Sequence, residues 1–398
     1  MSPFLQLIFE LAIIILAAKI AGYLSTRIGQ PSVFGELLVG LLLGPSFLDL
    51  VHLYFVTDSH LGEVIYELAE IGVLLLMFLA GLELELGDLA KNTRVSAFSG
   101  VLGVLVPVGL GWALGTAFQM SSDEAVFLGL TLGATSVSIS AQTLMELKVL
   151  RSRVGLGLLG AAVFDDILVI LLLSTFTALA SGSGGAAAIG LTLVKMVAFL
   201  GASVLVGLYA LPWISRTVSK LHVSQGSVAL AVVVMLFYAL AAELLGGMAA
   251  ITGTFVAGLM FGRTPEKHTV EHGFAVLAYG FFVPIFFVNI GLQVNIRELN
   301  INAVWLMLAV SAVAVLGKLF GAGAGAKMGG FSWQESLQLG VGMISRGEVG
   351  LIVISVGVAE GLVSAGIFSA IVGMVLITTL VTPPLLRLAF RLSPQTTS

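Results

Sequence analysis

The apolar residues of this chain fall in about 13 runs of roughly 20, each long enough to cross a bilayer as a helix. Their approximate limits are 3–25, 31–50, 63–86, 94–118, 124–147, 152–181, 186–215, 225–245, 248–263, 271–294, 302–326, 334–359 and 362–390. The breaks between them carry turn chemistry, as at Gln30-Pro31, Ser181-GSGG, Gly246-Gly247 and Gly329-Gly330. Inside hydrocarbon only helices or closed barrels satisfy their own backbone groups. With 58% hydrophobic and 10% charged residues, the chain is far from a soluble composition, where about a quarter is charged. The pattern specifies an all-α membrane protein of 13 transmembrane helices. The first segment holds Glu10 and Lys19 and lacks a basic leader, so it is expected to be a retained helix. Cysteine is absent, which excludes disulfides and thiol chemistry.

The basic residues test the helix count. With the N-terminus outside, the inside loops receive Arg27, Lys91, Arg94, Lys148, Arg151, Arg153, Arg216, Lys220, Arg263, Lys267, Lys327, Arg387 and Arg391, and the outside loops only Arg297. That asymmetry predicts N-terminus out and C-terminus in. An internal echo supports the count. Gly35, Gly40 and Gly44 recur at one offset as Gly253, Gly258 and Gly262, and Gly81-Leu82 is echoed by Gly291-Leu292. The paired helices lie seven apart in the order, an odd number, so the copies run in opposite directions. Inverted repeats of this kind suit a secondary transporter.

Asp165 and Asp166 stand together about 14 residues into the sixth segment, roughly 20 Å along the axis and near the midplane. Acids at that depth are costly and mark function. Two ionised neighbours repel, and a proton or a cation relieves them. Successive helical residues point about 100° apart, so the two acids can take different roles. Lys318 interrupts the eleventh segment about 13 Å from Lys327, too deep to reach the interface fully, and is expected to pair with an acid of the sixth. Gly133-ATSVSIS and Gly340-VGMISRGEVG are rich in Gly, Ser and Thr at mid-membrane. Broken helices need such residues, because exposed backbone groups and half-helix dipoles need partners. Arg346 and Glu348 would compensate charge there, and Thr135, Ser136 and Asp166 would offer hard oxygens to a small cation such as Na+. Glu36, Glu67, Glu70, Glu83 and Glu85 are weaker features of the second and third segments, and Gly321-AGAGA reads as a close-packing surface.

Taken in order, Gln30-PSVFGELLVGLLLGP, Ala134-TSVSIS, Gly160-AAVFDD, Pro284-IFFVNIGL, Gly317-Lys318 and Ser345-RGEVGLIV make the chain resemble bacterial sodium/proton antiporters of the cation:proton antiporter superfamily, of the NapA-like, monovalent cation:proton antiporter-2 type. The resemblance covers almost the whole chain. It implies the NhaA/NapA-like antiporter fold with two crossed broken helices, and Na+(Li+)/H+ exchange by an elevator-type mechanism. It implies that Asp166 is the main cation and proton carrier, that Asp165 bonds Lys318, and that Thr135 and Ser136 lie beside the ion. A homodimer in the bacterial inner membrane follows from the same likeness. Residues 1–90 and 221–300 would form the dimer domain, 91–182 and 301–398 the moving core, and 183–220 the linker helix. The paired acids go with electrogenic exchange. Phe164 before the pair and the Ser138-Ile139-Ser140 run depart from the pattern and bear on which cation fits. Potassium-efflux proteins of the Kef type share the core but usually carry Gln at the first acid; a K+/H+ antiporter on the same site is the alternative. No cofactor and no nucleic-acid partner is expected. No HExxH or GxSxG motif marks an enzyme.

Overall fold

The computed structural model describes residues 2–391 apart from 51, 52, 54, 55, 58, 59, 85, 86, 88–91, 181–185, 222, 294–296, 298–300, 360 and 361. Glu85, Lys91 and the break expected at residue 181 therefore lie outside the described residues. The described chain is helical: α1 Pro3–Arg27, α2 Ser32–Leu43, α3 Leu61–Leu82, α4 Thr93–Ala117, α5 Ser122–Gly133, α6 Val137–Glu146, α7 Arg153–Ala180, α8 Ala186–Val218, α9 Gly226–Ala241, α10 Ala250–Phe261, α11 Lys267–Leu277, α12 Val283–Leu292, α13 Ile301–Gly329, α14 Trp333–Gly342, α15 Glu348–Ala359 and α16 Ala365–Arg391. By length and composition the described residues hold 10 helices able to cross a membrane, counting Ser122–Glu146 as one, and shorter apolar helices at Ser32–Leu43, Ala250–Phe261 and Val349–Val358. The chain is a multi-pass helical membrane protein.

Several expected helices differ in extent. The second stops at Leu43 rather than near residue 50. Gly44 leaves the helix in an extended conformation (φ −73°, ψ 179°), as a residue before proline must, and Pro45 follows. The expected helices over 225–245 and 271–294 each contain a π-helical turn, Ala242–Gly246 after α9 and Ala278–Phe282 between α11 and α12. Gly247 ends the first of these turns at φ +61°, a left-handed position that glycine takes without strain. Such turns shift the register of side chains by one position and are invisible to a count of apolar residues.

The contacts divide the chain into two compact units. The first contains Met1–Glu67, Asn92–Asp165 and Pro284–Ser398, and the second Leu68–Lys91 and Asp166–Val283. The division falls between the two acids of α7.

In the first unit α2 is pressed between α1 and α12 at glycines. A Cβ on Gly35 would lie 2.2 Å from the Ala21 carbonyl oxygen, and one on Gly40 2.2 Å from that of Val288. The second unit repeats this arrangement with α10 against α9 and α3. A Cβ on Gly253 would lie 2.2 Å from the Tyr238 oxygen, and one on Gly258 2.0 Å from that of Phe78. The glycine echo in the sequence is therefore an echo of packing. Each glycine lets two backbones approach where a methyl group cannot fit. Gly321 and Gly325 of α13 meet the Leu102 and Phe98 carbonyls of α4 in the same way, so the small-residue run is a close-packing surface as read. The N-terminus of α2 is capped from a distance. Glu146, at the end of α6, accepts the Ser32 N–H at 2.7 Å, the Ser32 hydroxyl at 2.5 Å and the Gln142 amide at 2.9 Å. It occupies the positive end of the helix dipole.

Gly40→Ala and Gly258→Ala are each expected to lower the thermal stability of detergent-solubilised protein, by about 1–3 kcal/mol of overpacking. Gly109→Ala, on an open face of α4, is the control and should not lower it. Glu146→Ala removes the cap of α2 and should cost about 1–3 kcal/mol in the same melts.

Candidate functional site

Two capping boxes start the half-helices that frame the site. Ser121 and Glu124 bond reciprocally at the start of α5, and Ser332 and Glu335 do so at the start of α14. Both helices then stop within about four turns. After Gly133 the chain runs extended through Ala134 (φ −65°, ψ 149°) and Ser136 (φ −90°, ψ 107°) before α6 begins at Val137. After Gly342 it runs through Met343 to Gly347 before α15 begins. Both breaks are in the first unit, and they bond to each other. The Ser136 N–H donates to the Ser345 carbonyl at 2.9 Å, and the Ser345 hydroxyl donates to the Ser136 carbonyl at 2.7 Å. Ser140 donates to the Gly342 carbonyl at 2.5 Å, and its hydroxyl oxygen lies 3.1 Å from that of Ser345. Ser136 Oγ lies 3.1 Å from Ser138 Oγ. The Ser/Thr/Gly density read from the sequence thus supplies the hydrogen bonds that the interrupted helices lack.

The broken ends present carbonyl oxygens, and two buried cations meet them. Arg346, with none of its surface exposed, donates from Nη2 to the Leu132 carbonyl of α5 at 2.8 Å and to Ala314 of α13 at 3.2 Å. Its Nη1 donates to Met343 at 3.3 Å and, at closer range, to Ile344 just past the end of α14. One guanidinium therefore covers the negative ends of two half-helices, each carrying about half an electronic charge. Thr379 of α16 holds the Arg346 carbonyl at 2.7 Å. The Glu348 side chain lies outside the described residues.

Lys318 is equally buried. Its ammonium donates to the last carbonyl of α5, that of Gly133, at 2.6 Å and to Asp165 Oδ2 at 2.8 Å. Asp165 also accepts a very short hydrogen bond from the Thr135 hydroxyl. The expected pairing of Lys318 with an acid of the sixth segment is present, and its partner is Asp165. Thr135, expected beside Asp166, is bonded to Asp165. Space for the bulky Phe164 comes from Gly100 of α4, where a Cβ would lie 2.5 Å from that of Phe164.

Asp166 follows on α7 and belongs to the second unit. It is buried, 5% exposed, and its Oδ2 accepts the Thr252 hydroxyl of α10 at 2.9 Å. Sequence reasoning missed Thr252 because it sits in an ordinary apolar helix start, Ala250-ITGTF, with no charged neighbour. It also missed Thr379 and the Gly133 carbonyl. The one available signal was the carbonyl, since a helix known to stop at Gly133 must leave an acceptor there. Chemically, the arrangement offers a neutralised acid, Asp165, next to a second acid held by a neutral donor.

A family model described as "Sodium/hydrogen exchanger, transmembrane" matches residues 13–391. The chain is 42% identical over 387 residues to the Na(+)/H(+)-K(+) antiporter GerN of Bacillus cereus, covering 97% of this chain and 96% of that protein. It is 37% identical over 384 residues to the Na(+)/H(+) antiporter of Enterococcus hirae, covering 96% and 98% respectively. Among solved structures, the sodium proton antiporter MjNhaP1 from Methanocaldococcus jannaschii shares the fold, with a TM-score of 0.73 over 100% of both chains at 16% identity. With a family match of that extent laid over the buried charges at two helix breaks, the chain belongs to the sodium/hydrogen exchanger family.

Proposed function

We propose that the protein exchanges Na+ for H+ across the bacterial plasma membrane by secondary active transport, with Asp166 binding cation or proton in turn. The observation that carries this reading is the Lys318–Asp165 ion pair, both side chains 0–1% exposed, one residue along the helix from Asp166. Because Lys318 neutralises Asp165, the remaining charge of the pair is that of Asp166. A desolvated carboxylate takes up either a proton or a cation, and the two exclude each other. Thr135 and Ser136 contribute hydroxyl or main-chain oxygens as the cation arrives.

The charge count follows from the pair. With Asp166 protonated and Lys318 charged against Asp165, the three side chains are together neutral. With Na+ on Asp166 and Lys318 deprotonated, its bond to Asp165 broken, they carry one net negative charge with the ion included. Two protons then exchange for one sodium ion, and the cycle moves charge. Arg346 and Glu348 keep the broken helices neutral throughout, so that the carrier step alone changes the charge of the core.

The architecture we infer has 13 spans. The ten long helices, α2, α10 and the α14–α15 pair supply them. The recurring glycine contacts of α2 and α10 support inverted repeats. N-terminus out and C-terminus in follows from the basic residues. In a homodimer set among membrane lipids, residues 1–90 and 221–300 form the fixed part and 91–182 and 301–398 the core that moves as an elevator, with 183–220 as linker. That division is by motion, whereas the two compact units divide the chain by packing. Li+ is a further substrate. A K+/H+ antiporter, or a Kef-type potassium efflux protein using the same membrane core, is the second reading. The relative named for both Na(+)/H(+) and K(+) exchange favours it.

In proteoliposomes with an entrapped pH-sensitive dye, a Na+ gradient should drive proton movement in the wild type and none in Asp166→Asn. Exchange by Asp166→Asn at the normal rate removes Asp166 as the carrier. Parallel responses to LiCl and KCl separate the sodium from the potassium reading. Lys318→Ala leaves Asp165 buried and unpaired, so it should destabilise the protein by about 3–5 kcal/mol. In the fraction that folds, exchange should no longer respond to membrane potential; an unchanged response would rule out the lysine's proton.

A further inference from the structure

The exchange mechanism leaves one group of buried polar side chains unused, at the ends of α2 and α6 that the basic residues assign to the inner face. Glu146, in the last turn of α6, accepts the Ser32 N–H at 2.7 Å and the Ser32 hydroxyl at 2.5 Å. One turn back along α6, Gln142 donates its amide N–H to Glu146 Oε1 at 2.9 Å. Gln142 is 6% exposed, and among the described residues its buried amide oxygen has no hydrogen-bond donor. One turn along α2 from Ser32 stands Glu36, 7% exposed. The charged neighbours of Glu36 are Lys19 of α1 and Glu146. Its carboxylate lies along α1 at Gly22, where a Cβ would be 3.3 Å from Glu36 Oε1.

Ser32 begins α2, Glu146 ends α6, and the two helices pack against each other. Residues four apart on a helix share a face. Glu36 and Gln142 are each four residues from the Ser32–Glu146 bond, so they stand level with each other about 6 Å deeper. Ser138, four residues before Gln142, continues that face of α6 to the helix break, where its hydroxyl oxygen lies 3.1 Å from that of Ser136. One side of α6 therefore carries polar atoms all the way from its inner end to the break.

A buried amide oxygen without a donor is costly, and water or a cation satisfies it. Two carboxylates stand beside this one, and two acids against one lysine leave a single negative charge over. Amide and carboxylate oxygens are hard ligands. The charge count suits a monovalent ion. We propose that Glu36, Gln142 and Glu146 form a second monovalent-cation site, which holds Na+ between the inner solution and Asp166. In the division by motion, α2 is fixed and α6 moves with the core. The site is then whole only while the two helices stand in this register, and it comes apart as the core moves. It is a place for the ion to wait and not a carrier. Its place on the route to Asp166 rests on the exchange reading; its capacity to bind a cation does not.

Binding is tested on purified full-length Asp166→Asn protein, in which the carrier carboxylate is neutralised. The probe is NaCl, read as the rise in thermal unfolding temperature, with choline chloride keeping ionic strength constant. A saturable rise should remain in Asp166→Asn and disappear when Gln142→Leu or Glu36→Gln is added. Glu36→Gln keeps the side chain's shape and decides the matter if the leucine variant does not insert. Transport is tested in inside-out and right-side-out membrane vesicles. Losing one charged ligand corresponds to about tenfold in affinity, so Glu36→Gln should raise KM for Na+ about tenfold at the inner face and change it less than about twofold at the outer. Lys19→Gln removes a positive charge and should lower KM at the inner face. A merely structural role would affect both faces alike and give no change of sign. No saturable NaCl effect in Asp166→Asn, or equal changes of KM at the two faces, overturns the proposal. If Asp166→Asn still exchanges ions, the carrier reading fails, and loss of NaCl stabilisation on adding Glu36→Gln still decides the second site.

Discussion

A lysine with no exposed surface, Lys318, sets the terms for the first unit. An ammonium group taken out of water costs several kcal/mol unless opposite charge and hydrogen-bond acceptors surround it. Asp165 supplies the charge and the Gly133 carbonyl supplies an acceptor. That carbonyl is available only because α5 ends there; in a continuous helix the fourth residue on would take it. The ion pair and the helix break are therefore one feature. The ammonium closes on the carbonyl that the break frees, and Asp166 is the next residue along α7.

The same logic extends to the second break. Interrupting α14 near Gly342 exposes further carbonyls, and Arg346 gathers them with those of α5. The extended segments between the half-helices bond to each other through Ser136 and Ser345, and Ser140 of α6 adds a bond to the Gly342 carbonyl. Unpaired backbone groups are hardest to tolerate where no water is near. The small side chains at both breaks let the two segments come close enough for the Ser136 N–H to reach the Ser345 carbonyl. Gly347 shows the limit of that closeness, since a Cβ there would lie 2.6 Å from Ser136 Oγ.

Much of this was legible in the sequence. Acids and a lysine in mid-span are conspicuous because hydrocarbon makes them costly, and the Gly/Ser/Thr runs are conspicuous because an unbroken helix has no use for them. The glycine echo was visible for a similar reason: close helix contact accepts little else. What was not legible were neutral partners and local geometry. Thr252 looks like any membrane threonine, and only its hydrogen bond to Asp166 distinguishes it from Thr254. The resemblance put Thr135 beside the ion at the helix crossing, and in the structure its hydroxyl is bonded to the first acid, Asp165. The shortened α2 could have been foreseen from Gly44-Pro45, whereas the π turns at Ala242–Gly246 and Ala278–Phe282 leave no mark on hydropathy.

Periodicity and composition alone determined that the chain is a multi-pass protein of membrane helices, where its long apolar segments lie, and which few residues are too polar to be there by accident. Transfer between water and hydrocarbon acts on each residue where it stands, so it can be read along a line. Which carboxylate takes the lysine, which hydroxyl holds the other, and which carbonyls a single arginine collects were decided only by the tertiary structure. Those choices depend on distances of about 3 Å between residues far apart in the chain, and hydrogen bonds at that range are made or lost by the packing of whole helices.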